Sequence, residues 1–122
     1  MWHSSLTVKN RKDLERIQKA AVKVILGKRY TTYKNALKEL RIDSLNDRRR
    51  KLCLVFAKKS LKNEKVKNMF TKNKSKHQMK TRTSKKFHEQ ISKTKRFYKS
   101  AVPYMTRLLN EENLIKNQFC KY

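Results

Sequence analysis

The chain has 122 residues, with 34 Lys and Arg against 9 Asp and Glu, so its formal net charge is +25 at neutral pH. That length is the size of one domain and leaves little room for a second large core, while so large a cationic excess makes the compact state repel itself unless a polyanion, most naturally a phosphate backbone, neutralises it. Only 37% of residues are hydrophobic, which predicts a modest core, and no apolar run approaches the roughly 18 residues that span a bilayer.

The first periodic stretch is Leu14, Ile17, Ala21, Val24 and Ile25, spaced as one face of a helix, with Asn10 as N-cap and Asp13 three residues on. Gly27, the only glycine, ends it, because glycine tolerates the left-handed conformation at a helix C-terminus. Thr32 caps a second helix with Tyr33, Ala36, Leu37 and Leu40 on one face. Ser44 with Asp47 forms a capping box, Asp replacing the usual Glu, and opens a longer helix whose apolar positions are Leu45, Leu52, Cys53, Phe56, Ala57 and Leu61.

Beyond Leu61 the apolar period fades. Thr71 to Lys86 is almost wholly Lys, Arg, Ser, Thr, Asn, Gln and His, with Met79 its one large apolar residue. Such a stretch cannot bury enough surface to offset about 1–2 kcal/mol of ordering entropy per residue, so it reads as a mobile basic linker. Phe87, Ile91, Phe97 and Tyr98 fit neither a helical nor a strand period, which leaves their local structure open. Ser100 then caps a last helix, with Pro103 in its first turn and Val102, Met105, Leu108 and Leu109 on one face, fraying over Asn110 to Asn113. The expected fold is therefore all-α: a small cluster of about four helices with a long basic, flexible linker. Residues 1–62 form a three-helix N-terminal part, 63–99 a basic, partly disordered linker, and 100–113 a C-terminal helix packing back on the same single domain.

Chemistry of the acyl, phosphoryl or metal-assisted kind needs acids, nucleophiles or ligands at one point. Asp13 and Asp47 stand at helix starts, Glu111 and Glu112 are adjacent and point apart, and His3, His77 and His88 have no zinc spacing with Cys53 or Cys120. The two cysteines, far apart in sequence, read as free thiols of a reducing compartment. One glycine cannot make a phosphate loop. The expectation is no catalytic centre, no metal and no cofactor. Charge interleaved with aromatics remains, densest at Lys93, Lys95, Arg96, Phe97, Tyr98 and Lys99, with a second cluster at Arg48, Arg49, Arg50 and Lys51. Cations neutralise phosphates and planar rings stack on unpaired bases. The candidate nucleic-acid-binding residues are Arg48, Arg49, Lys95, Arg96 and Lys99 for phosphate contact and Tyr98 for stacking. The bland alternatives stay open: Phe97 and Tyr98 anchoring the last helix, and one arginine of the second cluster pairing with Asp43 or Asp47.

Trp2-His3-Ser4-Ser5-Leu6-Thr7, then Leu14-Glu15-Arg16-Ile17-Gln18-Lys19-Ala20-Ala21 and Ile25-Leu26-Gly27, resemble the region just downstream of the polymerase domain in jockey-like non-LTR retrotransposon proteins. Tyr33 with Ala36-Leu37, Leu45 with Asp47-Arg48-Arg49 and Leu52-Cys53-Leu54, and Phe56-Ala57-Lys58-Lys59 resemble that family's next two helices. Ser100-Ala101-Val102-Pro103-Tyr104 with Arg107-Leu108-Leu109-Asn110 is similar to its closing segment. The resemblance covers nearly the whole chain and weakens over Lys72 to Lys86. It implies a truncated C-terminal piece of a reverse transcriptase, an RNA-directed DNA polymerase whose catalytic aspartates find no counterpart, since no two aspartates are adjacent here. The implied role is a non-catalytic nucleic-acid-binding module. The alternatives are a structural segment packing on the missing polymerase domain, or a non-functional relic. Expected partners are RNA or DNA through phosphates and the upstream polymerase domain, with no membrane and an intracellular location in nucleus and cytoplasm. The oligomeric state is left open.

Overall fold

The structure is a computed structural model that describes residues 3–119 apart from His77, Gln78 and Lys80, with His3 and residues 114–119 described in backbone alone. The chain is all-helical: helix makes up 68%, there is no strand among the described residues, and four helices have seven or more residues. These four are α1 (Val8–Leu26), α2 (Tyr33–Glu39), α3 (Leu45–Lys62) and α6 (Ala101–Phe119), with two single-turn helices, α4 (Glu64–Lys67) and α5 (Lys95–Tyr98), between the last two. The chain divides into two compact units at a boundary inside α3, where sequence patterning placed one domain. One unit is Leu6–Leu52; the other holds the described residues of Met1–Ser5 and Cys53–Tyr122.

In the N-terminal unit, α1 starts earlier than its period suggests. Thr7, not Asn10, is the N-cap, its hydroxyl accepting from the Asn10 amide at 3.2 Å. Gly27 ends the helix at φ 51°, its amide donating to the Lys23 carbonyl. Thr32 caps α2 through the Asn35 amide at 3.3 Å, and Ser44 caps α3, its hydroxyl accepting from the Asp47 amide at 3.1 Å and donating to Asp47 Oδ2 at 2.7 Å, so the carboxylate meets the cap's hydroxyl where a capping box would have it meet the cap's amide. The core is Val22, Leu26 and Ala36, with Tyr30, Leu37 and Leu40 against it. The expected α1 face is thus rotated: Ile17, Val24 and Ile25 are 67, 83 and 63% exposed. Polar bonding selects the inner face. Gln18 Oε1 accepts from the Leu45 amide at 3.0 Å and Glu15 Oε1 from the Asn46 amide at 2.8 Å. Side chains of α1 thereby satisfy first-turn amides of α3 that have no partner within their own helix.

In the C-terminal unit, α3 turns Cys53, Ala57 and Ser60 inward, small side chains that admit close neighbours, while Phe56 stays about half exposed. Cys53 is a buried free thiol, and burial raises its pKa; Cys120 lies outside the described residues. The core is Ala57, Phe70, Phe87, Met105 and Leu109, flanked by Leu54, Leu61, Val66, Ala101 and Val102. The last helix runs on to Phe119 instead of fraying at Asn110, which is buried. Ser100 accepts the first backbone bond of α6, from Tyr104 at 3.2 Å, but its hydroxyl turns back to the Phe97 carbonyl at 2.7 Å.

Candidate nucleic-acid interface

The stretch read from composition as a linker carries tertiary bonds. Phe70 precedes it and Phe87 closes it; both are buried, with rings edge to face at 6.5 Å and 78°. Between them the backbone doubles back. Lys72 and Phe87 form an isolated antiparallel bridge, His88 donates to the Thr71 carbonyl at 2.7 Å, Asn73 to Lys86 at 3.0 Å and Lys74 to Ser84 at 3.1 Å. Asn110 of α6 fixes the returning end: its Oδ1 accepts from the Phe87 amide at 2.8 Å and its Nδ2 donates to the Phe87 carbonyl and to Glu89 Oε1, both at 3.0 Å. Two buried rings and one buried amide therefore anchor a segment with almost no hydrophobic content of its own. His77, Gln78 and Lys80 of that segment lie outside the described residues.

Closing this loop gathers charge. A cavity of about 720 Å³ is lined by Lys58 and Lys62 from the end of α3 and by Lys72, Arg82, Lys85 and Lys86 from the loop, with Leu61, Phe87 and Leu109 also in its wall. Glu112 is the single carboxylate lining it, and it pairs with Lys58. The other five cations make no ion pair among the described residues. Like charges crowded against apolar walls focus a positive potential into the cleft, and an entering polyanion relieves their repulsion. The arrangement can grip phosphates, the sequence-independent part of nucleic-acid recognition. Reading in chain order missed it because its members are spread over residues 58–86 and meet only when Phe70 and Phe87 are buried together.

None of the six residues singled out from sequence lines this cleft. Arg48 and Arg49 belong to the N-terminal unit, Arg48 exposed and Arg49 half-buried in the wall of a different cavity. Asp43 pairs with Lys51, at 2.7 Å. Lys95, Arg96 and Tyr98 form α5, capped by Thr94 through the Phe97 amide at 3.2 Å, and Lys99 ends it. All four are exposed. Arg107 of α6 stacks on Tyr98, its guanidinium carbon 3.7 Å from the ring centroid and its Nη2 donating to the Tyr98 carbonyl at 2.8 Å. That contact holds the ring in place, occupies one of its faces and leaves the residue 51% exposed.

Four carboxylates have structural engagements: Glu15 accepts from the Asn46 amide of α3, Asp47 from the Ser44 hydroxyl, Asp43 pairs with Lys51 and Glu112 with Lys58. Among the described residues no three of His, Cys, Asp and Glu converge as metal ligands, and no helix is long and apolar enough to cross a membrane. Comparison with protein-family models, curated proteins and solved structures finds no match to the chain.

Proposed function

We propose that this chain is a nucleic-acid-binding module, non-catalytic as it stands, from the region downstream of the polymerase domain in a jockey-like non-LTR retrotransposon reverse transcriptase. One observation carries the binding half: six cations and a single carboxylate line one cleft of the C-terminal unit. The family half, with its intracellular setting in nucleus and cytoplasm, rests on the residues that resemble that region. In this reading the cleft grips RNA or DNA phosphates with little sequence preference, and Lys95, Arg96, Lys99 and Tyr98 add exposed contacts. Arg48 and Arg49 act from the N-terminal unit.

The test is fluorescence anisotropy of the chain with labelled single-stranded RNA and duplex DNA over a salt series. A module making roughly 6–10 phosphate contacts loses about 10³–10⁵ in affinity between 50 and 200 mM salt. Replacing Lys62 and Lys85 by Gln lowers the slope of log affinity against log salt by about 0.7 per phosphate no longer neutralised on a single strand, or about 0.9 on duplex DNA. No binding at low salt, or an unchanged slope in the double variant, defeats the assignment to this cleft.

A second reading, a segment that docks on the upstream polymerase domain, is favoured by the α1 stripe of Ile17, Val24 and Ile25, which projects from the N-terminal unit with most of its surface uncovered. The two roles are compatible, since the cleft and this stripe use different residues. Changing the stripe to Gln leaves nucleic-acid affinity intact while it abolishes co-purification with a polymerase domain supplied separately.

A further inference from the structure

The N-terminal unit holds a second cavity, of about 540 Å³, whose wall includes Arg11, Lys12, Arg16 and Lys19 of α1, Arg49 of α3, and the one carboxylate Glu15. Glu15 is already engaged with neutral donors, Asn46 N on one oxygen and the Tyr33 hydroxyl on the other at 2.8 Å each. Asp13 meets Arg16 only at 3.8 Å, with both side chains largely exposed. The Nε of Arg11 is buried and has no hydrogen-bond partner among the described residues. A buried guanidinium N–H without an acceptor is costly, and native structures rarely leave one unless a water, ion or ligand completes it.

Three features define what would complete it. Five cations around one carboxylate call for an anion. The remaining wall is mostly apolar, built from Val8, the Tyr33 ring and the aliphatic stems of the basic side chains, and it suits a planar or aliphatic body attached to that anion. The volume is far larger than a free phosphate needs and falls within the roughly 300–1,000 Å³ of small-molecule sites. We propose that this cavity takes one nucleotide unit of a single-stranded nucleic acid: Arg11, whose Nε lies out of solvent's reach, turns to donate from it to the phosphate, and the base lies on the apolar wall. Arg49 and the α1 lysines supply the surrounding charge. The choice of a nucleic acid as occupant rests on the binding role proposed above, but the site shares no residue with the cleft of the C-terminal unit, so either can fail alone.

The experiment is calorimetric titration of the full chain with uridine monophosphate, uridine, glycerol 3-phosphate and inorganic phosphate, with amide NMR shifts recorded alongside. The nucleotide binds saturably and more tightly than the other three, and shifts cluster at residues 8–19 and 46–49. Arg11→Lys keeps the charge and removes the Nε donor; loss of one charge-assisted bond weakens binding by about tenfold or more. Arg49→Gln, on another helix, weakens it similarly and decides the matter if Arg11→Lys unfolds by circular dichroism. Lys34→Gln, a charge loss outside the cavity, leaves affinity unchanged. The proposal is overturned if glycerol 3-phosphate or inorganic phosphate binds as tightly as the nucleotide. It is also overturned if Arg49→Gln binds like the parent chain, or if the NMR shifts fall instead around Lys62 and Lys85.

Discussion

Tyr33 and Asn110 each show a single polar side chain fixing how segments distant in sequence meet. Tyr33 gives its one hydroxyl proton to Glu15, and burial, then that bond, push its pKa up to about 12. Because the folded value lies above the unfolded one near 10, the stabilisation is fully present below pH 10 and is lost as pH rises through about 12. Unfolding free energy measured in denaturant therefore falls across that window, and falls less in Tyr33→Phe. At neutral pH the same variant loses about 1.5–3 kcal/mol, the worth of a hydrogen bond to a charged acceptor. An ordinary phenolate titration for all the tyrosines by ultraviolet absorbance contradicts this account. Asn110 satisfies both backbone groups of Phe87 inside the C-terminal unit. Asn110→Ala leaves them without these partners, which costs about 1–3 kcal/mol. Asn110→Asp retains an acceptor for the Phe87 amide but turns a buried carboxylate oxygen toward the Phe87 carbonyl and Glu89 Oε1, where Nδ2 now donates at 3.0 Å to each. The expected order of melting temperatures at neutral pH is parent, then Ala, then Asp.

At the level of elements, the chain between α2 and α3 places Arg41 at φ 54°, with the Ile42 amide reaching back to the Leu37 carbonyl at 2.9 Å. This is the helix-ending position that glycine fills without strain. Arg41→Gly removes a penalty of roughly 1 kcal/mol for a side chain in the left-handed region, part of it returned as unfolded-state entropy, so a small gain in denaturation midpoint is expected. A loss of stability indicates an Arg41 contact that outweighs the strain. The basic loop obeys a different logic. Its interior has no hydrophobic period, and sequence patterning reads it as a linker; its order resides in Phe70 and Phe87 at its ends and in Asn110, far off in sequence. Phe87→Ala removes burial worth about 3–5 kcal/mol. It opens the loop, so nucleic-acid affinity drops even though no cation is touched, and the salt slope falls with it.

For the whole molecule, a charge of +25 on 122 residues opposes folding at low ionic strength, and two small cores share the work of resisting it. A ligand that binds only the folded chain stabilises it by about 2.7 kcal/mol at a hundred times its dissociation constant. At about 4–8 °C per kcal/mol for a domain this size, short single-stranded RNA at that concentration raises the melting temperature by about 10 °C or more. High salt erases the increase. A melting temperature indifferent to RNA in low salt separates the cationic surface from any binding role.

The sequence by itself determined the helical class, three of the helix-end signals and the sign of the net charge. Thr32, Ser44 with Asp47, and Gly27 stand where caps and a terminator must be, because those effects act within a few residues. Charge is additive, so the cationic excess follows from counting. Contacts distant along the chain decided the rest. The α1 face turned inward is the one whose Glu15 and Gln18 meet the amides of α3, and the period of Ile17, Val24 and Ile25 carries no trace of that partner. The six cations of the cleft meet only once two phenylalanines seventeen positions apart share one core. Periodicity records what a residue's neighbours in sequence do, whereas a binding cleft depends on which distant backbone segments are held together.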